Sequence, residues 1–186
     1  MPYLNFILYL SVPIHGDLTL FAILARVCIT INVTLIHLFI MTIKDLKPAL
    51  IWSIFDEITK VPRPSKKEEK IRQYLLDFAA KHDIPVKTDA VGNVVMSRPA
   101  TPGHEDAPTV ILQGHMDMVC ESKDKGFDFE NNPITTIIDG DWVHADGTTL
   151  GADNGIGVAA SLAVMADKSL VTGPVEALFT VDEETG

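Results

Sequence analysis

Cysteine is scarce in this chain. Cys28 and Cys120 are its only two, they lie far apart, and they form no Cys-x-x-Cys pair. That excludes a disulfide framework and reads as a reducing compartment. Positive charge is also in short supply: 15 Lys and Arg stand against 25 Asp and Glu, a formal net charge of -10. Nucleic acid is thereby excluded as a partner, because phosphate binding needs Lys and Arg. No Lys or Arg precedes Arg26, and no small-residue cleavage site follows, so the amino-terminal stretch lacks the marks of a secretory signal. Internal repeats and low-complexity tracts are absent. What remains is an acidic chain of 186 residues, 47% apolar, long enough for one domain with a proper core.

The apolar residues are unevenly placed. Residues 18–41 are dominated by Leu, Ile, Val, Phe and Ala with the single charge of Arg26, a run long enough to cross a bilayer. Asn32, Thr34 and His37 count against a span. Three readings stand: a membrane anchor, a hydrophobic pre-sequence, or a start set too far upstream, with Met41 the initiator. Amphipathic patterning begins at Thr42 and favours the third. The chain is therefore divided into an apolar leader, residues 1–41, and a globular part, residues 42–186.

The globular part alternates helices and strands. Leu46, Leu50, Ile54 and Ile58 mark a helix over residues 45–59, and Val61-Pro62-Arg63-Pro64 breaks it. Ser65-Lys66-Lys67-Glu68 has the pattern of a capping box opening a second helix, its first turn solvated and its buried stripe formed by Ile71, Leu75 and Phe78. Residues 86–88 and 93–97 read as strands, and 109–113 and 175–181 as central strands. Residues 134–138 and 142–145 read as a hairpin with an Asp139-Gly140 turn. A small-residue helix follows over 155–165.

Chemistry collects at the ends of these elements. His115 and Asp117 follow the strand at 109–113, where ligands gather in open α/β sheets. A metal-ligating His115 would give its second ring N–H to a nearby carboxylate such as Asp117, although a strand-end His beside a turn Asp is also an ordinary structural pair. Asp153 lies in a Gly-rich stretch, 147–157, where it either bridges two cations or caps the next helix. No Lys-Ser/Thr follows those glycines and no strand leads into a G-x-G-x-x-G pattern, which excludes nucleotide binding. Asp182-Glu183-Glu184 ends the strand at 175–181. Adjacent residues on extended backbone point apart, so one carboxylate can hold metal while its neighbour holds water. Taken alone, this triplet is equally a solvated turn. His82, His104, His144 and Cys120 read as structural.

The ordered set is more telling than its parts. Gln113-Gly114-His115-Met116-Asp117-Met118-Val119, the stretch 146–157 with Leu150-Gly151-Ala152-Asp153-Asn154-Gly155, and residues 180–186 resemble the aminoacyl-histidine dipeptidases, a branch of the co-catalytic zinc exopeptidases. The resemblance runs from about Met41 onward. It implies an α/β fold: a partial zinc-exopeptidase-like catalytic domain, a mixed sheet flanked by helices, truncated before the lid domain. It implies metal-dependent dipeptide hydrolysis with two divalent ions, Zn foremost and Co or Mn as alternatives. His115 and Glu184 take the roles of ligands to different metals and Asp153 that of the bridging carboxylate. Glu183 takes the role of general base, and Asp117 that of the catalytic aspartate orienting His115. An N-acyl-amino-acid hydrolase of the same superfamily is the runner-up, and a non-catalytic short product the reading from another class. The family also implies a cytoplasmic protein and a homodimer at full length; a membrane is a partner only if residues 18–41 are an anchor. Family members are several hundred residues long and complete the site with a further Asp and a late His. The 186-residue chain is accordingly expected to be inactive and unstable alone, with unpaired apolar sheet edges.

Overall fold

A computed structural model describes residues 41–185. The apolar stretch 18–40, and with it the choice between anchor and leader, lies outside the described residues. No helix among the described residues is long and apolar enough to cross a membrane.

After a short 3-10 helix, Ile43–Asp45, the elements are α1 (Ala49–Ile58), α2 (Glu69–Lys81), β1 (Val86–Thr88), β2 (Val94–Arg98) and β3 (Val110–His115). They are followed by β4 (Thr136–Asp139), β5 (Trp142–Ala145), α3 (Ala152–Ala166) and β6 (Val175–Thr180). Four strands form one sheet in the order β1-β2-β6-β3. β6 runs antiparallel to β2 and parallel to β3, so the sheet is mixed. The fold is the expected α/β type.

The sheet buries one face by simple alternation. Val175, Ala177 and Phe179 of β6 are buried, as are Val94 and Met96 of β2. Phe179 pairs with Val94 and Ala177 with Met96, so these side chains form one patch. α3 packs over β2, β3 and β6, α2 against β2, and α1 against α3. Val95, Ser97, Glu176 and Leu178 point the other way and are only half-buried. The helices among the described residues thus flank one face rather than two.

α2 shows why pattern succeeds where partners are local. Ile71, Leu75 and Phe78 recur at helical spacing and are all buried. Ile71→Val, which removes one methylene from this stripe, is expected to cost about 1 kcal/mol in a denaturant titration.

Other expectations need correction. The first helix is not continuous from residue 45: Pro48 occupies the position before α1, and Leu46 lies outside it. Pro cannot donate a helical N–H and disfavours helix in the residue before it. The buried face of α1 is Ile54, Phe55 and Ile58, while Leu50 is exposed. Ser65 caps nothing: α2 starts at Glu69, and Lys66 has a left-handed φ of 66° that turns the chain before the helix. Nor is the following turn wholly solvated, because Glu68 is buried. The hairpin turn is Gly140-Asp141, not Asp139-Gly140, because Asp139 pairs with Trp142 inside the ladder. Finally, β6 is central but β3 is an edge strand among the described residues, with Val110 and Ile111 exposed.

Candidate metal centre

The parallel pairing of β3 with β6 builds the site. His115 lies opposite Thr180, and the Met116 N–H continues the ladder to the Thr180 carbonyl at 2.8 Å. The carboxyl ends of both strands therefore deliver His115 and the Asp182-Glu183-Glu184 turn side by side. The start of α3 brings in the third piece. Asp153 and Asn154 depart from helical φ/ψ there, the peptide between them is cis, and the helix is regular only beyond them. Gly114 makes this approach possible: a Cβ on it would meet Asn154 Oδ1 at 2.9 Å.

The His115 ring is clamped at one nitrogen and open at the other. Its Nδ1 lies 3.3 Å from Asp117 Oδ1 and 3.2 Å from the Asp117 carbonyl oxygen. Its Nε2 faces Asp153 Oδ1 at 3.1 Å and Glu183 Oε2 at 3.9 Å. A proton on Nδ1, donated to Asp117, leaves the Nε2 lone pair directed at these acids. His115, Glu183 and Glu184 each present a ligand atom within 4.8 Å of the others, a spacing that suits one cation. Asp153 reaches the same imidazole nitrogen from α3. One imidazole and three carboxylates fit a divalent ion of the zinc type. The five residues singled out in the sequence thus converge. The tightest trio contains Glu183, the residue assigned as base by resemblance, rather than Asp153.

Asp117 is the hub. It is wholly buried. Its Oδ1 accepts the Glu183 N–H at 3.2 Å, and its Oδ2 accepts the Glu184 N–H at 3.1 Å and the Ser65 hydroxyl at 2.7 Å. Burial pushes its pKa up, but the bonds from Ser65, Glu184 and Glu183 outweigh that and hold it below the ordinary carboxylate range. The carboxylate that fixes the imidazole thus also fixes the turn carrying both glutamates. The side chains facing the open side are wet: Asp153 is 83% exposed and Glu183 58%.

Three residues beneath the site escaped the sequence reading. Arg63, in a Pro-Arg-Pro run taken only as a helix breaker, is buried and donates from Nη1 to the carbonyls of Asp117 (3.0 Å) and Met116 (3.4 Å). Its Nη2 donates to the Gly151 carbonyl. Burial lowers its pKa to about 10, which leaves it charged at neutral pH. Ser65 and Glu68 are the others. Glu68 Oε1 accepts the N–H of Lys66 and of Asp182, each at 3.0 Å. The other histidines among the described residues stand apart: His82 stacks on Phe78 with ring centroids 4.4 Å apart, and His104 and His144 are exposed. Cys120 donates to the Met118 carbonyl at 3.5 Å, and burial pushes its thiol up.

Residues 111–186 match the model of Peptidase family M20/M25/M40. The likeness extends to a particular branch. The chain is 46% identical over 145 residues to the cytosol non-specific dipeptidase of Escherichia coli (strain K12), a match covering 77% of this chain and 30% of that protein. Its fold superposes with a TM-score of 0.77 on the aminoacylhistidine dipeptidase from Vibrio alginolyticus, at 49% identity over 80% of this chain and 30% of that one. Aminopeptidase PepT from Bacillus cereus gives a TM-score of 0.60 at 28% identity, over 74% of this chain and 37% of that one. The chain spans about a third of the length of these relatives.

Proposed function

We propose that this site serves metal-dependent hydrolysis of dipeptides in a protein of the relatives' full length. The observation that carries the reading is the His115 imidazole, anchored at Nδ1 by buried Asp117 and open at Nε2 toward Asp153 and Glu183. On this reading His115, Asp153 and Glu184 would hold the divalent ions, with zinc the foremost candidate. Those three donors are fewer than two tetrahedral ions need. Bound there, divalent ions would supply Lewis acidity toward the scissile carbonyl and toward the attacking water. Glu183, exposed and beside the imidazole, takes the proton of the attacking water and returns it to the leaving amine. Asp117 touches no substrate; it orients His115 and the glutamate turn.

Residues 42–186 are, in this proposal, the amino-terminal part of the catalytic domain, with residues 1–41 a leader outside it. A cytoplasmic location and pairing into homodimers at full length belong to the same reading; the first is supported by the 46% identity to the cytosol non-specific dipeptidase of Escherichia coli. The test is an activity panel on the full-length protein. Dipeptides, aminoacyl-histidines among them, should be cleaved, the activity should vanish on chelation, and zinc should restore it. Preferential cleavage of N-acyl-amino acids would move the assignment to that branch. The 186-residue chain alone should show no turnover, and dipeptide hydrolysis by it in the presence of zinc would overturn that part of the reading.

A further inference from the structure

We infer that the connection between α1 and α2, residues 63–68, organises the metal centre, with Arg63 and Glu68 as positioning residues that set the spacing of its three ligand-bearing segments. The inference rests on the functional reading above. It starts from a coincidence of contacts: one short connection touches every segment of the site. Arg63 ties the 115–117 turn to Gly151, two residues before Asp153. Ser65 donates to Asp117. Glu68 holds the N–H of Asp182, directly before Glu183. The backbone adds a further link, the Met118 N–H to the Arg63 carbonyl at 3.1 Å.

Each contact has a physical reason to matter. A buried guanidinium is costly unless its donors are satisfied. Arg63 meets that need with carbonyls from two separate loops, which a planar fork can span and a lysine point charge cannot. Losing it would free the Gly151 turn and with it the 3.1 Å approach of Asp153 to His115. Glu68 acts on the other side. Lys66 and Asp182 both carry left-handed φ values, 66° and 58°, uncommon for residues with a Cβ. The two N–H groups share one acceptor, Glu68 Oε1. Such backbone persists where surrounding contacts over-determine it. One buried carboxylate therefore holds both turns, and the second turn aims Glu183 and Glu184. Outer contacts of this kind typically change metal affinity by 10- to 100-fold.

The test is zinc titration of the full-length protein against a competing chromophoric indicator, at a temperature where circular dichroism shows each variant folded. Glu184→Ala, which removes a ligand, serves as the reference, and Lys67→Ala, an exposed neighbour in the same connection, as the control. Glu68→Ala and Arg63→Lys are each expected to weaken zinc binding about tenfold. Glu68→Gln, which keeps an oxygen acceptor, should recover most of that loss, and Lys67→Ala should bind as the parent does. A residue that merely stabilised the fold would lower the melting temperature without this pattern. Parent-like zinc affinity in Glu68→Ala and Arg63→Lys, with Glu184→Ala weakened, overturns the inference and leaves the site reading standing. Zinc binding unaffected by Glu184→Ala, or absent from the parent, overturns the site reading and the inference with it.

Discussion

Glu183→Gln in the full-length protein is expected to lower kcat by about 10²- to 10⁴-fold while bound zinc stays at the parental level. The geometry separates the backbone of this residue from its side chain. The Glu183 N–H is anchored on Asp117 Oδ1, while the carboxylate projects into solvent. Gln keeps the size and the anchored N–H but cannot take a proton. Rate and metal content should therefore part company. The measurement is kcat together with zinc per protein by elemental analysis. Loss of zinc in step with rate would make Glu183 a ligand, an alternative with substance because its carboxylate lies within 4.8 Å of the ligand atoms of His115 and Glu184. Stability should barely change, since the side chain is exposed and substitutions at such positions usually stay within about 0.5 kcal/mol.

The acidic residues of the site were legible in sequence for a topological reason. Each follows a strand or a Gly-rich turn, and strand ends in an α/β sheet converge on one edge. Parallel pairing of β3 with β6 then needs only the register of His115 with Thr180 to bring the pieces together. The core stripe of α2 was legible because its partners repeat within one helix. Ser65 was not. Ser-x-x-Glu followed by an amphipathic run has the local form of a capping box, yet the Ser65 hydroxyl binds a carboxylate 52 positions away. Local pattern cannot register a partner that the fold supplies. Arg63 hid for a related reason: between two prolines it has the composition of a breaker, and only the fold shows it buried against three carbonyls.

Strand order was the weakest inference from sequence. Val110-Ile111-Leu112 is as apolar as a central strand, but Val110 and Ile111 are exposed among the described residues and only β6 lies beside them. An apolar run signals that both faces of a strand can be covered; it does not name what covers them. The same limit applied to Glu68. In a run of five charged residues it has the look of solvated surface, and its burial follows from where the Asp182 turn falls.

Asp117→Asn should be the more damaging change to the fold, by about 3 kcal/mol at neutral pH. The Asp117 carboxylate faces donors only. Oδ1 meets the Glu183 N–H and the His115 ring, and Oδ2 meets the Glu184 N–H and the Ser65 hydroxyl. An amide offers one acceptor and one NH₂ group, so whichever way it turns, donors confront a donor in a buried place. The backbone N–H of Glu183 or of Glu184 would then lose its partner, and an unpaired buried group carries its full desolvation cost. Replacing either glutamate removes nothing of this kind. Denaturant titration of the metal-free full-length protein separates the two cases: a lower midpoint with an unchanged slope is expected for Asp117→Asn, and parental behaviour for Glu183→Gln. Equal stability of the two variants would mean that Asp117 does not hold the turn. The same substitution should also loosen the imidazole, because the partner of Nδ1 is what leaves Nε2 free for a cation. Zinc affinity should therefore fall even in variant molecules that remain folded, by about 10- to 100-fold.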